Sequence, residues 1–66
     1  MDVVVNGRTV ALDDGSSVRD LLVALGRGEG RVAVEVNQEI VPRSRHAEHL
    51  LKPGDRIELV HAMGGG

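Results

Sequence analysis

A chain of 66 residues is long enough for one domain and not for two. Its 8 Lys+Arg stand against 10 Asp+Glu, a net charge of −2, and it has no aromatic residue and no cysteine. Disulfides, thiolate catalysis and cysteine metal sites are excluded, and nucleic-acid binding is left without a basic stripe or a stacking platform.

No apolar run approaches membrane-spanning length, and the opening "MDVVVNG" lacks the basic and long apolar regions of a signal peptide. A cytoplasmic monomer is expected. A domain this small buries only about 60% of the surface its unfolded chain exposes. Its core must come from Val, Leu, Ile, Ala and Met, which favours one sheet against one helix.

In chain order, "DVVVNGRTVAL" reads as a β-hairpin. Asn6-Gly7 is a preferred pair for a two-residue turn whose two positions need φ > 0. That turn pairs Val5 with Arg8 and Val3 with Val10. Val3, Val5, Val10 and Leu12 then share the core face, with Val4, Thr9 and Ala11 on the other. After the loop "DDGSS", the stretch "SVRDLLVALG" reads as a helix. Ser17 is its N-cap, Asp20 a capping-box partner, and Val18, Leu21, Leu22 and Leu25 its apolar stripe. Gly26 suits the position just past the helix end.

"RVAVEVN" alternates, with Val32, Val34 and Val36 inward and Ala33 and Glu35 outward. "QEIVPRS" holds a short extended piece ended by Pro42. "SRHAEHLL" is expected to make a turn or two of helix, capped by Ser44, with Ala47, Leu50 and Leu51 inward. "KPGD" is a turn. "RIELVHAM" is the last strand, with Ile57 and Leu59 inward and Val60 opposite. A hairpin followed by a helix across one face of a mixed four- or five-stranded sheet is an α+β, β-grasp plan. The expected division is a domain over 1–63 and a flexible glycine tail over 64–66.

Catalytic constellations are hard to assemble. His46 and His49 are three apart, too few ligands for a metal site, and read as part of a solvated turn. His61 reads as a surface residue. Asp13-Asp14 reads as a solvated turn, and Ser16, Ser17 and Ser44 as caps and loop residues. "GRGEG" over Gly26 to Gly30 follows a helix, whereas a phosphate cradle precedes one. The expectation is a protein that is not an enzyme and binds no metal or cofactor.

The tail has a physical use. Gly64, Gly65 and Gly66 can extend about 10 Å beyond the last strand. Without Cβ atoms they fit a channel too narrow for other residues. They would carry an α-carboxylate, ionised at neutral pH, into another protein's active site. Attack on the α-phosphate of ATP would turn that poor acyl donor into an acyl-adenylate, with AMP as its leaving group. The partner would supply ATP, Mg²⁺ and cationic groups. The competing reading is inert slack.

The segments "VVVNG", "SVRDLLVAL", "VAVEVNQEIVPRS" and "LKPGDRIELV", with the terminal Gly65-Gly66, resemble the ThiS family of sulfur carriers in thiamine biosynthesis. The resemblance spans the whole chain. It implies a β-grasp fold and a carrier cycle. A ThiF-type adenylating enzyme would activate the Gly66 carboxylate. Sulfur from cysteine through a desulfurase, or from another sulfur donor, would replace AMP and leave a thiocarboxylate, and a ThiG-type thiazole synthase would accept the sulfur. Gly66 carries the chemistry in that analogy, while Gly64 and Gly65 keep the tail narrow. The sheet face away from the helix would dock the partner through Val4, Ala11 and Val60, with Ala62 and Met63 leading into the tail. The same residues also read as ordinary sheet filling. Two alternatives stay open: a MoaD-type carrier for molybdopterin or another thiocarboxylate pathway, and a β-grasp binding module with an inert tail.

Overall fold

The computed structural model describes residues 1–26 and 32–61 of the chain. Strand β1 (Asp2–Val5) turns through Asn6-Gly7 into β2 (Arg8–Ala11). Helix α1 (Val18–Ala24) follows, then β3 (Val32–Val36), β4 (Glu39–Val41), a single 3₁₀ turn (Arg43–Arg45) and β5 (Arg56–His61). The five strands form one mixed sheet in the order β2-β1-β5-β3-β4. The last strand therefore lies at the centre, parallel to β1 and antiparallel to β3. This is the β-grasp architecture expected from the sequence.

The first hairpin has the expected register, Val5 opposite Arg8 and Val3 opposite Val10. Its turn residues sit at φ 49° and 84°, the two positive angles that an Asn-Gly pair supplies. The second hairpin was not legible as one. Val36 pairs with Glu39 across Asn37 and Gln38, which take φ 51° and 71°. Asn37 tolerates that region, but a glutamine carries no signal for it.

Helix α1 closes its N-terminus with a full capping box. The Asp20 N–H donates to Ser17 Oγ (3.1 Å) and the Ser17 N–H donates to Asp20 Oδ2 (2.9 Å). Val18, Leu21 and Leu22 are buried. Leu25 is not: it sits at the C-cap, 37% exposed, where the chain has already left the helical path. The core is the layer between this stripe and the inner sheet face, including Val3, Val34, Ile57 and Leu59. Val10, Leu12 and Val32 are half-buried at its rim. Leu21 is wholly buried, a contribution of about 1.5–3 kcal/mol for a side chain of its size.

The expectation for residues 44–51 needs correction. Only one 3₁₀ turn forms, its N-cap position is Pro42, and Ser44 caps nothing. Ala47 is exposed, Leu50 is 58% exposed, and of the three apolar residues only Leu51 is buried. The reason lies in α1. The first N–H groups of a helix have no partner within it. Here the Val18 N–H donates to the His49 carbonyl (2.9 Å) and the Arg19 N–H to the His46 carbonyl (3.0 Å). The Leu51 N–H returns a bond to the Ser16 carbonyl (2.8 Å). The His46 and His49 carbonyls thus serve the first turn of α1 instead of a further turn of helix in their own segment.

His46 is therefore not part of a solvated turn. It is 7% exposed, and its Nε2–H donates to the Val41 carbonyl at 3.0 Å.

Candidate functional site

Strand β5 runs through the centre of the sheet and ends at His61. Three anchors fix that strand. The Asn6 N–H donates to the Ile57 carbonyl (2.9 Å), closing the main-chain ladder with β1. The Asn37 side chain holds the start of β5: Oδ1 accepts from the Arg56 N–H and Nδ2 donates to Asp55 Oδ1, both at 3.0 Å. The Asn37 N–H also donates to the Arg56 carbonyl (2.7 Å). On the other flank the Asn6 side chain reaches past the end of β1. Its Oδ1 accepts from the Leu59 N–H (2.8 Å) and its Nδ2 donates to the Leu59 carbonyl (3.3 Å). A main-chain N–H only donates and a carbonyl only accepts, so this pair of bonds fixes the orientation of the amide.

Sequence reasoning treats Asn6 only as a turn residue and Asn37 only as a strand end. A signal was present. Each asparagine follows a run containing alternating inward valines, "VVVN" and "VEVN", which puts a short amide where a main-chain ladder runs out.

Val4, Ala11 and Val60 lie on the sheet face away from the helix, but not in one cluster. Val4 pairs with Thr9 and with Arg56, and Ala11 pairs with Asp2, so Val4 and Ala11 are diagonal neighbours. Val60 pairs with Ala33, four residues further along β5 than Arg56, a separation of about 13 Å. Around Val60, which is 56% exposed, the face offers Ala33 and the 75% exposed Ile40. Glu35 and Glu58 stand opposite each other between them. Ile40 enters this face because it pairs with Glu35, a register set by the unforeseen second hairpin.

Ala62, Met63, Gly64, Gly65 and Gly66, and with them the proposed domain boundary and tail, lie outside the described residues. So do the side chain of His61 and most of the "GRGEG" loop, of which Gly26 sits just past the helix at φ 74°. Among the described residues no group of three His, Cys, Asp or Glu side chains is placed to hold a metal ion. The His46 Nε2, one of the two ring donors weighed for such a site, is already committed to Val41. No helix among them is long and apolar enough to cross a membrane.

The model of the ThiS family matches residues 3–66. The chain belongs to the ThiS family. Sulfur carrier protein ThiS of Escherichia coli (strain K12) is 33% identical over 66 residues, covering the whole of both chains. A thiazole synthase of Paramagnetospirillum magneticum is 41% identical over 66 residues. That match takes in all of this chain but only 20% of the synthase, so the chain spans a fifth of that relative. Among solved structures, the crystal structure of the thiamine biosynthesis protein ThiS from Geobacter metallireducens superposes with a TM-score of 0.84. It is 35% identical, with full coverage of both chains. Membership of the family makes this chain a ThiS-type sulfur carrier and not an enzyme in its own right.

Proposed function

We propose that the chain carries sulfur as a C-terminal thiocarboxylate on Gly66 for thiazole formation in thiamine biosynthesis. The observation that carries this reading is the end-to-end match to the E. coli carrier, combined with a central strand β5 that ends at His61, three positions before Gly64 in the sequence. In this reading the Gly66 carboxylate attacks the α-phosphate of Mg·ATP on a ThiF-type adenylating enzyme, and pyrophosphate leaves. Hydrosulfide, released from a desulfurase's cysteine-derived persulfide by a thiol that becomes a disulfide, then attacks the acyl carbon and AMP leaves. The thiocarboxylate passes its sulfur to a ThiG-type thiazole synthase. The relative in which a stretch like this one forms a fifth of a thiazole synthase supports that last partner.

Gly64 and Gly65 serve as the narrow lead into each active site. Val4, Ala11, Val60, Ala62 and Met63 face the partner as it docks. The carrier works as a cytoplasmic monomer and brings no cofactor of its own.

The test is intact mass after incubation with Mg·ATP, an adenylating partner and a sulfur source. The expected product shows oxygen replaced by sulfur at the C-terminus. Deletion of Gly66, or one residue appended after it, abolishes the product while the fold persists. An unmodified wild-type chain, or an appended chain modified at the wild-type rate, refutes the reading. Complementation of thiamine-requiring cells, set against molybdopterin-deficient ones, separates it from the MoaD-type alternative.

A further inference from the structure

We infer that Asn6 is a positioning residue for the activation step: its side chain pins β5 at Leu59 and so fixes the point from which the C-terminal segment departs. The inference rests on the carrier reading. Along β5 the backbone groups alternate sides. The carbonyls of Asp55 and Ile57 and both polar groups of Leu59 face β1, whereas Arg56 faces β3 and its Asn37 turn. The main chain of β1 satisfies the first two of these sites and then turns away at Asn6-Gly7. Leu59 would be left without a partner on that flank if the Asn6 amide did not supply one donor and one acceptor in place of a strand residue. The next residue on that flank is His61, beyond the hairpin; its described strand partner is Val32 on β3. Among the described residues Leu59 is thus the last of β5 to be held on the β1 flank.

The consequence is entropic. Six residues separate Leu59 from Gly66. A carboxylate at the end of that segment reaches a partner's site most often when its origin is fixed relative to the docking face. Loss of the pin leaves β5 held from β3 alone past Ile57. The ordering cost then falls on the docked complex and lowers the fraction that is ready to react.

Asn6→Gly separates this role from the turn. Glycine accepts the φ of 49° freely, so the hairpin is kept and only the amide is lost. Asn6→Asp keeps the acceptor for the Leu59 N–H and loses the donor, so it provides a graded variant. Ser17→Ala, which weakens the cap of α1 and leaves both Asn6–Leu59 bonds in place, is the control for stability alone. Two measurements are made on the full chain. Amide hydrogen exchange should be about tenfold faster at Leu59 in Asn6→Gly, with the core amides of β3 unchanged. Activation by the adenylating partner should show kcat down about tenfold at saturating carrier, KM within twofold, and Asn6→Asp in between. Ser17→Ala should leave kcat at the wild-type value.

Unchanged exchange at Leu59 overturns the pin itself. Faster exchange with a wild-type kcat, or a kcat loss shared by Ser17→Ala, overturns its positioning role. A wild-type chain that is not activated at all defeats the carrier reading, and the inference falls with it.

Discussion

Glu35 and Glu58 stand directly opposite each other on adjacent antiparallel strands, on the sheet face away from the helix. Directly opposed side chains have Cβ atoms about 4.5–5.5 Å apart, and like charges at that spacing destabilise a sheet. The one ion pair among the described residues lies elsewhere, between the Met1 ammonium and Asp14. Glu58→Lys should therefore stabilise the domain, by about 0.2–1 kcal/mol at low salt, with a rise in Tm that shrinks as ionic strength increases. The Glu35→Lys/Glu58→Lys double variant restores a like-charge pair and should lose the gain. A Glu58→Lys chain no more stable than wild type at low salt would show that the opposition costs nothing.

The turn between β3 and β4 holds Gln38 at φ 71°. A side chain in the left-handed region costs roughly 1–2 kcal/mol, part of which glycine gives back through the freedom it loses on folding. Gln38→Gly should raise stability by up to about 1 kcal/mol in denaturant unfolding, with the m-value unchanged. A loss of stability would mean that the glutamine side chain makes a contribution larger than its strain.

Ser17 and Asp20 hold each other through reciprocal bonds at the start of α1. Ser17→Ala should cost about 1 kcal/mol. The Ser17→Ala/Asp20→Ala chain should cost less than the sum of the single losses, because each residue acts through one shared device. Strictly additive losses in a double-mutant cycle would dissolve the box into two independent caps. Total stability in a chain this size is on the order of 3–10 kcal/mol, so the single change is visible in Tm.

These relationships divide by how local they are. The first hairpin, the cap and the valine alternation of β3 were legible because each depends on residues within a few positions of one another. The 43–51 segment was not, because its shape is set by the demands of helix α1, more than 25 residues earlier in the chain. The side-chain bonds from Asn6 to Leu59 and from Asn37 to Arg56 were equally hidden. Both follow from strand order, and a turn-forming asparagine looks the same in sequence whether or not its amide is used. The place of Ile40 on the outward face, opposite Glu35, needed the second hairpin's register, which an Asn-Gln pair does not announce.

His46 is buried in a stretch that reads as solvated, and its bond fixes one ring hydrogen. The Val41 carbonyl accepts only, so the ring must carry its hydrogen on Nε2. Ring ¹⁵N spectra of the folded chain should show a hydrogen on His46 Nε2. His46→Ala removes that donor and leaves the carbonyl of buried Val41 without it, a loss of about 1–3 kcal/mol. It should also loosen the 43–51 segment whose carbonyls satisfy α1, seen as faster exchange at the Val18 and Arg19 amides. His49→Ala, at a less buried position, keeps its main-chain carbonyl on Val18 and should stay within about 0.5 kcal/mol of wild type. A ring without a hydrogen on Nε2, or equal losses from the two alanines, would show that the Val41 bond does not hold this segment in place.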